Sequence, residues 1–109
     1  MKEQDTVRAI LAYLGARGVL AWRNNVGAVS AGGRFVRFGS KGMSDIIGVL
    51  PPRLETNNRN FGRFLAIEVK RPGQQPTPYQ AGFLDQVRKA GGVAFVATSV
   101  QDVERELYL

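Results

Sequence analysis

Three residues of this chain have the types and spacing to do chemistry together: Asp45, Glu68 and Lys70. The stretch "FLAIEVKRP", residues 64–72, carries Glu68 and Lys70 two apart in an otherwise apolar run. Successive side chains of a strand point to opposite faces. A strand here therefore sends Leu65, Ile67 and Val69 toward a core, and Ala66, Glu68 and Lys70 to the other side. Asp45 opens a second apolar run, "SDIIGVL", and pairing of the two runs would bring it to Glu68. Two adjacent carboxylates repel, and each is costly to bury unpaired. A hard divalent cation removes that cost. Magnesium takes oxygen ligands, usually one or two carboxylates, and completes its shell with water and phosphate oxygens. An ion held so polarises a phosphodiester and lowers the pKa of a bound water. Lys70 beside it could orient or activate that water, or stabilise charge on the phosphorane. The plainer alternative is a same-face ion pair of Glu68 with Lys70, worth under about 1 kcal/mol, with Asp45 capping a turn after Gly42.

Composition narrows the chemistry to this kind. The chain has no Cys and no His. That excludes the common zinc sites, a His general base, and Cys or Ser–His nucleophilic catalysis. Carboxylates, Lys, Tyr and amides must do any catalytic work. The net charge is +6, with 11 Arg against 4 Lys, and Arg suits planar, bidentate phosphate contacts. A polyanionic partner is expected. At 109 residues, 44% of them hydrophobic, the chain is one domain's worth with a modest core. No apolar run reaches the roughly 20 residues of a membrane span. The first residues, "MKEQDTVRAI", lack the apolar stretch of a signal peptide. With no disulfide framework possible, a reducing cytoplasm is the expected setting, and a bacterial, phage or mobile-element context fits a compact chain of this kind.

The elements that must position these residues are well punctuated. Residues 3–16 predict an amphipathic helix with Val7, Ile10, Leu11 and Leu14 as its buried stripe, stopped by Gly15 or Gly18. "VLAWRNN" reads as a strand. "VGAVSAGGRFVRFGSKG" reads as a glycine-rich hairpin turning at Gly32-Gly33. "SDIIGVL" is apolar enough for a central strand, and "PPRLETNNRNFG" is an irregular loop. "RFLAIEVK" resumes the sheet until Pro72 ends it. "TPYQAGFLDQVRKAGG" is a helix capped by Thr77, with Pro78 in its first turn, Gln80 at the capping-box position, and Phe83, Leu84 and Val87 buried. "VAFVAT" is a short buried strand and "SVQDVERELYL" a final helix opened by Ser99. The order predicts an α/β sandwich around a mixed sheet, in a single domain over residues 1–109.

"GMSDIIGV", then "AIEVKRP" some twenty residues on, then "TPYQAGFLDQVRKAGGVAFVATS" resembles the PD-(D/E)XK nuclease superfamily, and within it the VRR-NUC family. The likeness runs from the first helix to the last. Its specificity lies in the joint occurrence of G-x-S-D, E-V-K and T-x-x-Q. The resemblance implies a restriction-endonuclease-like core, a central mixed β-sheet flanked by helices. It implies Mg²⁺ or Mn²⁺ held by Asp45, Glu68 and the main-chain carbonyl of Val69, with Lys70 as the catalytic lysine. Gln80 matches a glutamine that opens the next helix and faces the site, although its position serves equally for a capping box. Glu3 matches a position where relatives often carry a further acidic residue. Ser44 replaces the proline that precedes the aspartate elsewhere, as is usual in this branch.

Arg34, Arg37 and Lys41 in the hairpin, and Arg71 beside the E-V-K strand, would meet DNA phosphates in order. Arg53 and Arg59 either clamp DNA or serve solubility. Trp22 and Tyr79 read as packing or rim aromatics. No zinc finger or spare recognition domain is present to read bases, so selectivity for DNA structure is expected. Cutting both strands needs two sites, which a two-fold homodimer supplies. Stand-alone relatives of this kind resemble Holliday-junction resolvases. A flap- or single-strand-directed nuclease and a non-catalytic DNA-binding module are the alternatives.

Overall fold

A computed structural model describes residues 2–24, 27–31, 34–38, 41–52 and 61–108, with the backbone alone for 27–31 and 34–38. Helix α1 spans Glu3–Ala16 and buries Thr6, Val7, Ile10 and Leu14, with Leu11 packed at the edge of the core. It stops at Gly18, whose φ of 77° a side chain would resist. Val19 N–H then reaches back to the Leu14 carbonyl at 2.9 Å and Gly18 N–H to that of Gly15 at 3.1 Å, the bonding of a Schellman end. Gly15 itself lies within the helix.

Strands β1 (Leu20–Arg23), β4 (Ile46–Leu50), β5 (Arg63–Val69) and β6 (Val93–Ala97) form one sheet in the order β1-β4-β5-β6. The first two pairings are antiparallel and β5 with β6 is parallel, so the sheet is mixed. The parallel step needs a crossover, which helix α2 (Pro78–Lys89) supplies. Helix α3 (Val100–Leu107) follows β6. Strands β2 (Gly27–Ala31) and β3 (Arg34–Phe38) pair antiparallel apart from the main sheet, closing at Ala31 opposite Arg34. The Gly32-Gly33 turn and residues 53–60, with Arg53 and Arg59, lie outside the described residues.

The apolar character of β4 and β5 follows from cover on both faces. On one face Ile46, Leu50, Leu65, Ile67 and Val69 pack with Val7, Ile10 and Leu14 of α1 and Val103 and Leu107 of α3. On the other, Ala66 and Ala94 meet Leu84 and Val87 of α2, with Phe83 partly buried beside them. Each fully buried Leu or Ile contributes about 2 kcal/mol. Among the described residues Glu68 is the buried ionisable side chain of this core.

Candidate active site

Asp45 reaches Glu68 through register. Ile46 pairs with Ile67, so one step before β4 sets Asp45 opposite Glu68, and residues directly opposite in an antiparallel pair share a face. The β1–β4 register, Arg23 opposite Ile46, likewise sets Asn24 opposite Asp45. Asn24, Asp45 and Glu68 thus form a row across three strands, on the face that carries α2. Asn24 holds this row at two points: its N–H donates to the Asp45 carbonyl at 2.7 Å, and its Nδ2 to the Ser44 carbonyl at 3.2 Å.

The turn that delivers Asp45 needs a glycine. Gly42 has φ +88°, and a Cβ there would overlap the Tyr79 carbonyl. The Gly42 backbone therefore lies directly on the first turn of α2, and a larger residue would push turn and helix apart. Ser44, two residues after Gly42, is fully buried, and its Oγ has no hydrogen-bond partner among the described residues.

The Asp45 carboxylate is fixed by the Val69 N–H, which donates to Oδ2 at 2.7 Å. Glu68 is only 2% exposed. Its Oε2 lies 3.9 Å from Lys70 Nζ, while its Oε1 finds no hydrogen-bond partner among the described residues. Burial, then a proton-sharing contact with the Asp45 carboxyl, then the Asp45 charge push the Glu68 pKa up to about 8, with a smaller push from Glu3 and with Lys70 opposing. Lys70 is itself largely enclosed, its side chain 14% exposed.

Glu3, at the start of α1, stands close enough to act on Glu68, and it pairs with Arg71 at 3.9 Å from Oε2 to Nε. Gln74 bridges the two when its amide is oriented to donate to Glu3 Oε2 at 3.1 Å and accept from Arg71 Nη2 at 2.9 Å. Gln80 makes the complete capping box: its N–H donates to Thr77 Oγ1 at 3.2 Å and its Oε1 accepts from Thr77 N–H at 2.9 Å. The capping bond uses the amide oxygen, so only the Nε2 donors could serve a ligand.

Asp45 and Gln80 line one cleft of about 860 Å³, together with Arg23, Asn24, Lys41 and Tyr79. Glu68 and Lys70 are not in its wall. Lys41 Nζ lies 4.2 Å from the centre of the Tyr79 ring, a cation–π distance. Arg34 and Arg37 lie on β3, and their side chains are outside the description. Sequence reasoning missed Asn24 and Arg23 as wall residues; the signal was the "RNN" that ends the first strand, legible only with the β1–β4 register in hand.

A divalent cation fits this donor set. Two carboxylates meet with one Glu68 oxygen lacking a donor among the described residues, and the Lys70 ammonium at 3.9 Å offsets only part of their repulsion. Among the described residues no three acidic side chains gather into a full cage, so water or substrate oxygens would complete the shell, as magnesium prefers.

A mixed sheet flanked by helices, with two acids and a lysine meeting at its central strands, defines a restriction-endonuclease-like protein. The family model of the VRR-NUC domain matches residues 2–101, and the chain belongs to the VRR-NUC family. It is a nuclease-type domain that acts on DNA, of a kind that generally depends on a divalent metal. Comparison with curated proteins finds no match. Among the described residues no helix is long and apolar enough to cross a membrane.

Proposed function

We propose that this protein is a metal-dependent endodeoxyribonuclease selective for DNA structure, acting on branched DNA as a homodimer. The observation that carries the proposal is the burial of Glu68 against Asp45 with Lys70 alongside. A module that only bound DNA would gain nothing from that costly arrangement. Asp45, Glu68 and the Val69 carbonyl would hold Mg²⁺ or Mn²⁺, and Glu3 could add an outer ligand through water. When bound, the ion supplies Lewis-acid polarisation of the phosphodiester and a water of lowered pKa.

The chain's own groups do the rest. Lys70 balances the charge of the acid pair and places an ammonium where negative charge develops on the phosphate. Asp45 keeps its geometry through the Val69 N–H. Gln80 Nε2 can donate to a phosphate oxygen while its oxygen stays in the cap. Lys41, Arg71, Arg34 and Arg37 contact phosphates, which gives affinity that falls steeply with salt and carries little sequence preference. One such centre per chain cuts one strand, and a two-fold pair of chains would present two centres to a symmetric junction.

The test is cleavage of labelled four-way junction, flap, duplex and single-stranded DNA with Mg²⁺ or Mn²⁺, wild type beside Lys70→Ala. Paired, symmetric junction cuts that vanish in the variant are expected. Mutant-sensitive cutting of flaps or single strands alone would keep the active site and remove the resolvase reading. Junction binding with no cutting under either metal would leave a binding module.

A further inference from the structure

We infer that Lys41 and Tyr79 form a stacking ridge for one unpaired nucleobase next to the scissile phosphate, with a groove along α2 behind it that receives the base. The inference rests on the nuclease reading and narrows its substrate to DNA that presents an unstacked nucleotide beside the cut.

Three observations lead there. First, Tyr79 is held in place yet 60% exposed. It is the second residue of α2, between Pro78 and Gln80, and its backbone is pinned by the Gly42 turn, where no side chain fits. Second, Lys41 Nζ stands 4.2 Å from the ring centre. That contact orients the ring and adds a cation where a backbone phosphate would pass. Third, Lys41 and Tyr79 belong to the walls of two cavities at once. One is the cleft of about 860 Å³ that contains Asp45, Arg23 and Gln80. The other is a groove of about 340 Å³ formed with Pro78, Gly82, Phe83 and Gln86.

The chemistry of that groove suits a base better than a phosphate. Its lining offers a proline ring, Phe83, and Gly82, where a Cβ would meet nothing within 4 Å. Gln86 supplies an amide for a polar edge. Among the described residues of its lining the cation is Lys41, at the ridge, where the connecting phosphate would lie. A strand leaving the Asp45 cleft over the ridge thus meets positive charge first, then an aromatic face, then a slot of mixed polar and apolar lining. An intact duplex keeps its bases stacked inside and can use only the charge. Stacking on an aromatic ring tolerates every base, since each has a π face, so the ridge reads structure and not sequence.

The experiment measures binding by fluorescence anisotropy in EDTA, so that nothing is cut. It compares an oligonucleotide duplex with a flap of matching length carrying 2-aminopurine at successive positions around the branch. Tyr79→Ala should weaken flap binding about 10-fold, in line with the stacking energy of one base, and leave duplex binding within 2-fold. Tyr79→Phe should bind as wild type. Gly82→Leu, which fills the slot and raises helix propensity, should weaken the flap like Tyr79→Ala. One 2-aminopurine position should be quenched in wild type and not in Tyr79→Ala. Equal losses on flap and duplex, or no loss in both Tyr79→Ala and Gly82→Leu, would overturn the ridge while the nuclease reading stands. Wild-type protein that binds neither DNA in EDTA, nor when Ca²⁺ replaces the EDTA, would sink both. Should Tyr79→Ala fail to fold, the Gly82→Leu and Tyr79→Phe pair still decides.

Discussion

Asp102 and Glu68 are both carboxylates near the ends of elements in the same small molecule, and the fold treats them in opposite ways. Asp102, in the first turn of α3, is surrounded by donors. Thr98 N–H and Oγ1 donate to its Oδ2 at 2.8 and 2.9 Å, and Arg105 Nη2 to its Oδ1 at 2.8 Å. The Thr98 backbone bond first, then its hydroxyl and Arg105, hold this carboxyl below its ordinary value against a modest burial penalty. Glu68 is buried more deeply, faces a second acid, and has an oxygen with no partner among the described residues. Its pKa rises to about 8. Where a carboxylate serves the fold, the local chain supplies its hydrogen bonds. Where it is kept short of them, some other species is meant to complete it.

The largest effect that would break this contrast is on catalysis. Glu68→Gln and Lys70→Ala should each lower single-turnover cleavage roughly 10³-fold, within the range a positioned acid–base or charge-stabilising group supplies. Asp102→Ala should cleave at the wild-type rate per folded molecule. Comparable losses in all three variants would mean that cleavage simply follows stability.

Next in size is the pH dependence of stability, where the two carboxylates have opposite signs. The folded pKa of Glu68 lies above its unfolded value of about 4.5, so its contribution is fully present below that pH and is lost as pH rises toward 8. The slope is about 1.4 kcal/mol per pH unit in that window. Asp102 contributes above its unfolded value of 3.8 and loses that contribution as pH falls through its lowered folded pKa. Metal-free wild type should therefore melt higher at pH 5.5 than at pH 8. Glu68→Gln should flatten that difference, and Mn²⁺ should restore the wild type at pH 8 without helping the variant. Thermal melts with and without EDTA check this, and a flat wild-type profile would remove the strained acid pair.

Gly42→Ala comes third. It combines a positive φ with overlap on α2 and should cost about 1–3 kcal/mol, while also weakening the Mn²⁺-induced rise in melting temperature because Asp45 is displaced. Asp102→Ala is smallest, about 1 kcal/mol for a lost first-turn contact. That is about 5 °C in melting temperature, with the metal response intact.

Much of the architecture could be read from residue order because local physics carries it. The stripe of α1, the Thr77–Gln80 box and the Ser99 cap are written in neighbouring residues, and each forms as expected, whereas the strand expected to run to Pro72 already ends at Val69. The alternation in "FLAIEVK" correctly sent Leu65, Ile67 and Val69 to the main core. Gln80 was ambiguous for a physical reason: one amide fits both a cap and a ligand contact, and its oxygen went to the cap. Asn24 opposite Asp45 was not legible, because that neighbourhood depends on two strands separated by a hairpin coming into one register. Lys41 over Tyr79 was hidden in the same way, since it depends on the Gly42 turn resting against a helix that begins 36 residues later.

Residue types and spacing by themselves determined that this chain has no histidine or cysteine chemistry, a basic surface, and an acid–lysine pair on one side of a strand. Those are properties of composition and of the two-residue period of β structure. Tertiary structure alone decided that Glu68 would be buried, that Asp45 would stand across from it with its carboxylate held by the Val69 N–H, and that Asn24 and Tyr79 would border the cleft. Burial and cross-strand register are collective outcomes of packing three helices on one sheet. No single segment of the chain contains them.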